Sequence, residues 1–256
     1  MLSVQLYSVR DLLSADQPGT LARLAEIGYR HVEPFGLGAL HESHDERLVR
    51  ARRLRRDLDA AGLGVSAVHA ALPDAEQLAE ECEIVGADTA FVPHPRQVPG
   101  FDAETFDDPG RLDAFADAIG AAVEAVDLRL GYHNHWFEWA VLPDGTTAFD
   151  RFWSRAHRDL LAELDVYWAV AAGADPGREL AELGSRAVSV HLKDGPAEVG
   201  AAQVPLGSGE LDIPSVLREV SEVPWHVAEI DTTEHDPFAL LQHNASVLTG
   251  SGTKAS

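Results

Sequence analysis

The sequence predicts an α/β protein, a single-domain (β/α)8 TIM barrel, in which eight parallel strands alternate with eight helices. Strand-like and helix-like segments alternate strictly, at intervals of about 30 residues, the usual length of a βαβ unit. No strand is followed by a Gly-x-Gly-x-x-Gly turn or a Walker-type Gly-Lys-Ser/Thr motif, which disfavours the doubly wound nucleotide-binding folds. No linker divides the 256 residues. We therefore expect one domain over residues 1–256, with 249–256 as a frayed tail.

The predicted strands are short apolar runs rich in Val, Leu and aromatic residues. Pro and Gly are concentrated between these runs, where turns are expected. In chain order the strands cover residues 2–7, 31–33, 65–69, 89–92, a run through 132–133, 161–165, 187–191 and 226–229.

The predicted helices carry apolar residues at helical spacing and have recognisable ends. In the first helix Leu21 and Leu24 lie one turn apart, and Gly28 follows as a C-terminal cap. Gly62 stops the second helix, and Pro176 and Pro237 suit the first turns of two later ones. In chain order the helices cover residues 17–27, 45–61, 74–85, 109–126, 146–155, 175–183, 213–220 and 236–248.

The composition excludes several classes of function. The formal charge of −22 disfavours nucleic acid as a partner, because such proteins concentrate Lys and Arg. The arginine run over 47–56 is interpreted as a solvated helix face. Cys82 is the single cysteine, which excludes an intramolecular disulfide. No run approaches the ~20 apolar residues of a membrane span, so we expect a cytoplasmic protein without a membrane partner.

Ionisable side chains end every predicted strand after the first. In a (β/α)8 barrel these ends converge on the active site, and chance loop residues would more often be Ser, Asn, Lys or Gly. The residues are Glu33, His69, His94, His133 with His135 and Glu138, Asp165, His191 with Lys193 and Asp194, and Glu229 with Asp231. Glu33 and His69 have two interpretations, a role in the site or hydrogen bonds that tie neighbouring strand ends. Asp194 and Asp231 are ligands, supporting residues or caps.

Four of these residues follow four successive strands, one per strand, and can therefore face a common centre: Glu138, Asp165, His191 and Glu229. Three carboxylates and one imidazole suit Mn²⁺, Mg²⁺ or Co²⁺, with Zn²⁺ as a further option. Such an ion polarises the carbonyl of a hydroxy-ketone, and a neighbouring carboxylate moves a proton on the next carbon. The sequence thus predicts enediolate chemistry on a small sugar-like molecule.

Several motifs, in a fixed order along the chain, also carry a resemblance to a known family. They are Tyr132-His-Asn-His135-x-x-Glu138-Trp, Glu163-Leu-Asp165-Val-Tyr-Trp168, Gly173-x-Asp-Pro176, Val190-His191-Leu-Lys-Asp194 and Glu229-x-Asp231. Together they resemble the sugar phosphate isomerase/epimerase family of the xylose isomerase-like TIM barrel superfamily, which has the fold of AP endonuclease family 2. The resemblance covers essentially the whole chain and is a poor guide to the substrate.

The resemblance implies one divalent metal ion held after strands five to eight by Glu138, Asp165, His191 and Glu229. The position after strand five stays open, because His133 or His135 is an alternative ligand or a substrate contact. By similarity to the ketose epimerases, Glu138 and Glu229 exchange the proton, with Lys193 as a further catalytic residue near the substrate oxygens. The implied substrate contacts are Glu33, His69, His133, His135 and Trp168. Trp168 either covers an apolar face of the sugar or packs at the barrel rim.

The first functional hypothesis is a metal-dependent sugar isomerase or epimerase that acts on a small keto- or aldo-sugar through a metal-bound enediolate. The alternatives are a metal-dependent lyase acting on an inosose or a 3-keto-glycoside, and a non-catalytic sugar-binding barrel. A phosphorylated substrate is disfavoured, since Lys193 and Lys254 are the only lysines. The acidic charge disfavours the DNA-cleaving branch. The expected partner is a small sugar or polyol, and the loop over 96–108 is a candidate contact in a homo-oligomer.

Overall fold

The computed structural model describes residues 1–250, and within them ten strands pair in parallel in one sheet. The sheet order is β3-β5-β6-β7-β8-β9-β10-β1-β2-β4. The strands are β1 Leu2–Gln5, β2 His31–Glu33, β3 Phe35–Leu37, β4 Gly64–Val65, β5 Val68–Ala70, β6 Thr89–Val92, β7 Arg129–His133, β8 Leu161–Asp165, β9 Ala187–Leu192 and β10 Trp225–Ala228.

The ten strands form the eight staves of a closed barrel, because two staves are broken. Pro34 separates β2 from β3, since proline has no N–H to donate to the sheet. The neighbouring stave is interrupted at Ser66 and Ala67, between β4 and β5. β2 pairs with β4 and β3 with β5, while β1 pairs with β10 and closes the ring. The predicted (β/α)8 barrel is confirmed, although the strand predicted over 65–69 is two strands.

Ten helices follow the strands within the described residues. The eight predicted helices are present with ends shifted by one or two residues, and α1 and α7 were not predicted. The helices are α1 Arg10–Ala15, α2 Gln17–Ile27, α3 His44–Ala61, α4 Ala75–Val85, α5 Pro109–Ala125, α6 Ala148–Arg155, α7 Val166–Ala171, α8 Pro176–Leu183, α9 Ile213–Glu219 and α10 Pro237–Gly250. Thr249 and Gly250 are the last residues of α10, and the rest of the predicted tail lies outside the described residues.

A buried ion pair joins α3, α4 and the loop after β3. Arg47 is 4% exposed, and its Nε donates to Oε1 of Glu81 over 2.7 Å. The remaining Arg47 nitrogens donate to the Glu42 carbonyl and the Gln77 side chain, and Oε2 of Glu81 accepts from the backbone N–H of Gly38. The interpretation of the arginine run as a solvated face is therefore wrong for Arg47, which lies in the helix interface.

The loop predicted over 96–108 is anchored in the apolar core. It contains two short 3₁₀ helices, Pro95–Gln97 and Ala103–Asp107. Phe106 is 1% exposed, and its ring centroid lies 5.8 Å from that of Tyr132 on β7. Burying an aromatic ring of this size contributes about 2–3 kcal/mol. A role of this loop in oligomers stays a prediction. No helix in the described part of the chain is long and apolar enough to cross a membrane.

Candidate active site

A cavity of about 650 Å³ opens where the strands end at their carboxyl termini. Its walls include residues that directly follow β1, β3, β5, β6, β7 and β10, such as Tyr7, Ala71, His94 and Trp136. Parallel strands all end at the same rim of a barrel, so side chains distant in sequence meet there. The predicted position of the site is therefore occupied by a cavity of the size that binds small molecules.

Charged and imidazole side chains fill the base of this cavity and form what we call the floor cluster. Its members are at most 7% exposed. They are Glu33, His69, His133, Glu163, Asp165, His191, Lys193 and Glu229.

Glu163 lies at the centre of one half of the floor cluster. Its Oε2 lies 2.6 Å from Nε2 of His69, 3.1 Å from Nδ1 of His133 and 3.1 Å from Nε2 of His191. Nε2 of His191 also lies 2.7 Å from Oε2 of Glu33, which accepts a hydrogen bond from the Gln5 side chain. Side chains from several staves of the barrel are thus joined around one carboxylate.

Lys193 lies at the centre of the other half. Its ammonium group donates to Glu229 and, over 2.7 Å, to Asp231, and lies 2.7 Å from Oδ2 of Asp165. Oε2 of Glu229 is also 2.8 Å from Nδ1 of His191, so His191 connects the two halves. Glu229 and Asp231 line the cavity and can reach a bound molecule directly.

The floor cluster offers two overlapping sets of metal ligands. One atom from each of His69, His133, Glu163 and His191 lies within 4.8 Å of the others, and the same holds for His133, Asp165, His191 and Glu229. The cluster can therefore hold a metal ion.

Three buried carboxylate oxygens of the cluster support this interpretation. Among the described residues, Glu33 Oε1 and Glu163 Oε1 accept no hydrogen bond. Oδ2 of Asp165 also accepts none, although the charge of Lys193 lies beside it. Buried polar atoms are costly without a partner, so these oxygens suit a bound cation.

The electrostatics of the cluster show an excess of negative charge. Burial and the neighbouring Glu163 raise the pKa of Glu33 to about 7, and burial raises the pKa of Asp165 to about 6. Burial alone would lower the pKa of His191, but Glu163, Glu229 and Glu33 raise it well above its usual value. Burial is the first cause of both carboxylate shifts, whereas the neighbouring imidazoles and Lys193 keep the pKa values of Glu163 and Glu229 well below their usual value.

Two further histidines at the cavity are neutral. Burial, with His191 nearby, lowers the pKa of His133 to about 3. Burial also lowers the pKa of His135 well below its usual value, and Nδ1 of His135 has no hydrogen-bond partner among the described residues. A neutral imidazole can bind a metal or exchange a proton with a bound molecule.

Glu138 lies outside both ligand sets. It is fully buried, its Oε1 accepts a hydrogen bond from the Tyr132 hydroxyl over 2.7 Å, and its Oε2 accepts one from the backbone N–H of His135 over 2.9 Å. Burial raises the pKa of Glu138 to about 8. The structure thus brings together Asp165, His191 and Glu229 of the expected ligands and places Glu138 beneath the β7 turn.

The other predicted residues divide between the cavity and its supports. His69, His133, His135 and Trp168 line the cavity, whereas Glu33 lies beneath it. Asp194 accepts hydrogen bonds from four backbone N–H groups, those of Gly195, Gly207, Gly209 and Leu211. Asp194 therefore holds the loop after β9 in place. Of the three roles expected for it, namely ligand, supporting residue and cap, the supporting role applies.

Glu163 is the one member of the floor cluster that was not singled out as a site residue. A strand places residues i and i+2 on the same face, so Glu163 points into the barrel together with Asp165. The predicted site residues end or follow the strands, whereas the alternation along β8 also identifies Glu163.

Comparisons with known proteins agree with this architecture. The family model described as xylose isomerase-like TIM barrel matches residues 21–249. Among solved structures, a sugar phosphate isomerase/epimerase from Parabacteroides distasonis is 22% identical, with 96% of this chain and 92% of that chain covered and a TM-score of 0.76. No protein with a curated description matches the sequence.

Two further solved structures share the fold at lower identity. A probable 3-DHS dehydratase from Bacillus anthracis is 17% identical, with 97% of this chain and 98% of that chain covered and a TM-score of 0.69. An L-ribulose 3-epimerase is 14% identical, with 99% and 95% covered and a TM-score of 0.65. At these identities the likeness shows the fold alone.

Proposed function

Because the chain belongs to the xylose isomerase-like TIM barrel family, we propose that it is a divalent-metal-dependent sugar isomerase or epimerase. The substrate is a small keto- or aldo-sugar that loses and regains a proton next to its carbonyl group. The observation that carries the proposal is the buried floor cluster, with three carboxylate oxygens that accept no hydrogen bond at the base of an open cavity. The isomerase/epimerase from P. distasonis and the L-ribulose 3-epimerase make the same reaction class a natural candidate.

We assign the metal ligands to His133, Asp165, His191 and Glu229. This set keeps three of the residues expected from the sequence and uses His133 after strand five, because both oxygens of Glu138 accept hydrogen bonds elsewhere. Two imidazoles with two carboxylates favour Mn²⁺, Co²⁺ or Zn²⁺ over Mg²⁺, which prefers oxygen ligands. The bound ion supplies positive charge that polarises the substrate carbonyl.

Glu229 is our candidate for the proton-accepting residue. It lines the cavity, and although burial opposes its ionisation, Lys193 and His191 lower its pKa well below the usual range. Glu229 is therefore a carboxylate at neutral pH and can accept a proton from a substrate carbon. Lys193 keeps Glu229 and Asp231 in place through its hydrogen bonds, and His69 lines the cavity and can contact the substrate oxygens.

A lyase is the second candidate, and His135 favours it. Its imidazole lines the cavity, and the proton that Glu229 removes from the substrate carbon can pass through it to the departing hydroxyl group, which leaves as water. The structural neighbour from B. anthracis, a probable 3-DHS dehydratase, is consistent with elimination on this fold. Both candidates begin with the same proton transfer.

Hydrogen exchange in D₂O tests the proposal. The protein is loaded with Mn²⁺ and incubated with a panel of free ketoses and inososes, and deuterium at the carbon next to the carbonyl is followed by NMR. We expect deuterium incorporation with wild-type protein and none with Glu229→Gln. Arg23→Ala, on the exposed face of α2, is the matched control and should keep full exchange.

The products distinguish the two candidates. An isomerase or epimerase gives a sugar of unchanged mass, whereas a lyase gives a product that has lost water. The absence of exchange with every compound in the panel, in protein that holds its metal, would refute both reactions and leave the sugar-binding barrel.

A further inference from the structure

The outer half of the cavity carries a second group of side chains with a different character. We call it the outer subsite and define it by Tyr7, Phe35, Leu40, Trp136 and Trp168, all of which line the cavity. The rings of Trp136 and Trp168 pack with centroids 4.9 Å apart, and those of Tyr7 and Phe35 pack edge to face at 5.3 Å. The two aromatic pairs belong to different parts of the rim.

The barrel topology places these two pairs across the mouth from each other. Tyr7 follows β1, the first stave, and Trp136 follows β7, the fifth of eight staves. Staves one and five are diametrically opposed in a closed eight-stave barrel. A molecule that reaches the floor cluster must therefore pass between two aromatic walls.

Large apolar side chains of the outer subsite are exposed to solvent. Tyr7 is 39% exposed, Leu40 is 44% exposed and Trp136 is 37% exposed. Exposed apolar side chains around a cavity mark a ligand-binding surface, because their exposure to water is unfavourable unless something covers them. No lysine or arginine is among the described residues that line the cavity, and the Arg10 guanidinium lies over the Tyr7 ring, 4.2 Å from its centroid.

The cavity is also larger than one sugar ring needs. A hexose has about twelve non-hydrogen atoms, and at the loose packing of liquid water, about 30 Å³ per molecule, it fills about 360 Å³. The cavity measures about 650 Å³. The floor cluster takes the polar ring, and the aromatic half has room for a second group.

Trp168 connects the two halves. Its ring lies 5.3 Å from the Lys193 ammonium on the floor side and packs against Trp136 on the outer side. Its indole Nε1–H is buried and has no acceptor among the described residues. The Trp168 ring therefore joins the charged floor of the cavity to its aromatic half.

We propose that the outer subsite binds an aromatic or apolar group attached to the reacting sugar, so that the substrate is a glycoside that carries a ketone on its sugar ring rather than a free monosaccharide. This inference rests on the proposed function, which places the sugar ring and its ketone on the floor cluster. The aromatic pairs cover the attached group, and Trp168 lies where the sugar and that group meet.

Binding measurements on the full-length, Mn²⁺-loaded protein test this inference. Phenyl and methyl glycosides that carry a ketone on the sugar ring are titrated by calorimetry. We expect the phenyl compounds to bind at least about tenfold more tightly, as burial of an aromatic ring implies. Trp136→Ala should bring this ratio close to one. Trp153→Phe, on α6 and outside the cavity, is the matched control and should keep the wild-type ratio.

The outcomes separate this inference from the proposed function. Equal affinity for phenyl and methyl compounds, or binding of free sugars only, overturns the outer subsite even where deuterium exchange on free ketoses succeeds. A phenyl preference that depends on Trp136 supports the subsite even where no exchange is seen. If none of the glycosides binds, the outer subsite is wrong.

Discussion

Two groups of buried charges in this barrel differ in how completely their polar atoms are paired. In the pair formed by Arg47 and Glu81, every side-chain nitrogen and oxygen has a hydrogen-bond partner. In the floor cluster, three carboxylate oxygens accept no hydrogen bond from the described residues. The two sites are equally buried, and both join several elements.

This difference indicates what each site is for. A buried ion pair whose hydrogen bonds are complete is self-sufficient and contributes to structure alone. A buried cluster with unsatisfied acceptors and excess negative charge is incomplete until a cation binds. Between these two sites, the buried acceptors without a hydrogen bond distinguish the floor cluster from the ion pair, whereas burial and charge do not.

The largest expected effect is the loss of the metal. Asp165→Ala and His191→Ala each remove a proposed ligand, so we expect wild-type protein to hold close to one ion per chain and both variants to hold none. Deuterium exchange should fall by about 10²–10³ or more, because the charge developing on the substrate loses its main stabilisation. Metal analysis and the D₂O assay measure the two effects, with Arg23→Ala as control. Full metal content in either variant would contradict the ligand assignment.

The second effect is on stability, at the structural site. Arg47→Met leaves Glu81 buried without its partner and should lower the free energy of unfolding by about 3–5 kcal/mol, measured by urea denaturation. The double variant Arg47→Met/Glu81→Leu should recover most of that loss, and metal content should not change. If Arg47→Met lowers the free energy of unfolding by less than about 1 kcal/mol, the ion pair between Arg47 and Glu81 does not stabilise the fold.

Glu138→Gln tests the boundary between the two kinds of site. Folded Glu138 has a pKa of about 8, compared with 4.5 as its usual value, so the folded state retains a proton that the unfolded state releases. The stabilisation from this retained proton is complete below pH 4.5 and is lost as the pH rises to 8. At about 1.4 kcal/mol per pKa unit, and with some relaxation of the surrounding structure, the loss is about 2–4 kcal/mol.

The neutral amide introduced by Glu138→Gln has no proton to release, so the variant should lose less stability than wild-type protein as the pH rises through this range. Urea denaturation of metal-free protein below and above the range measures the difference. The variant should also keep its metal, whereas His133→Gln should lose it. Metal loss in Glu138→Gln alone would return the strand-five ligand to Glu138.

The smallest effect is expected for metal-free Asp165→Asn. Its Oδ1 accepts from the Trp168 N–H and caps α7, a bond that asparagine retains, and the pKa of about 6 shows that the charge itself is unfavourable there. Without metal, the free energy of unfolding should change by less than about 1 kcal/mol. With Mn²⁺ at about 100 times its dissociation constant, wild-type protein should gain about 2.7 kcal/mol and the variant nothing.

The sequence predicted the fold well because its signal is repeated. Eight alternations of strand and helix agree with one another, so an error in one element does not change the barrel. The missed elements lack a periodic signal. α7 begins at Val166, immediately after Asp165 ends β8, and its apolar run continues the strand without a visible boundary. The break between β2 and β3 depends on Pro34. Its effect on strand pairing is clear only when the neighbouring stave is known.

The sequence predicted where the candidate site lies more reliably than what each of its residues does. Strand ends converge in any such barrel, and Asp165, His191 and Glu229 do lie close together, with Glu229 in the cavity wall. The direction of Glu138 could not be read, because it lies in a 3₁₀ turn five residues after β7 ends and its orientation depends on the Tyr132 hydroxyl. Which side chains pair across different staves depends on the tertiary structure, so a local sequence pattern does not reveal it.

The pairing of β1 with β10 has a consequence for the order of events during synthesis. Leu2 lies beside His226, so the first strand has no neighbour on that side until almost the whole chain has left the ribosome. Contacts this distant in sequence form late and slowly. The carboxylates of Glu33 and Glu229 reach His191 only after that closure, and a nascent chain has no complete metal site. On the proposed ligand assignment, metal loading is expected to follow synthesis, and a chain truncated before β10 is expected to remain metal-free.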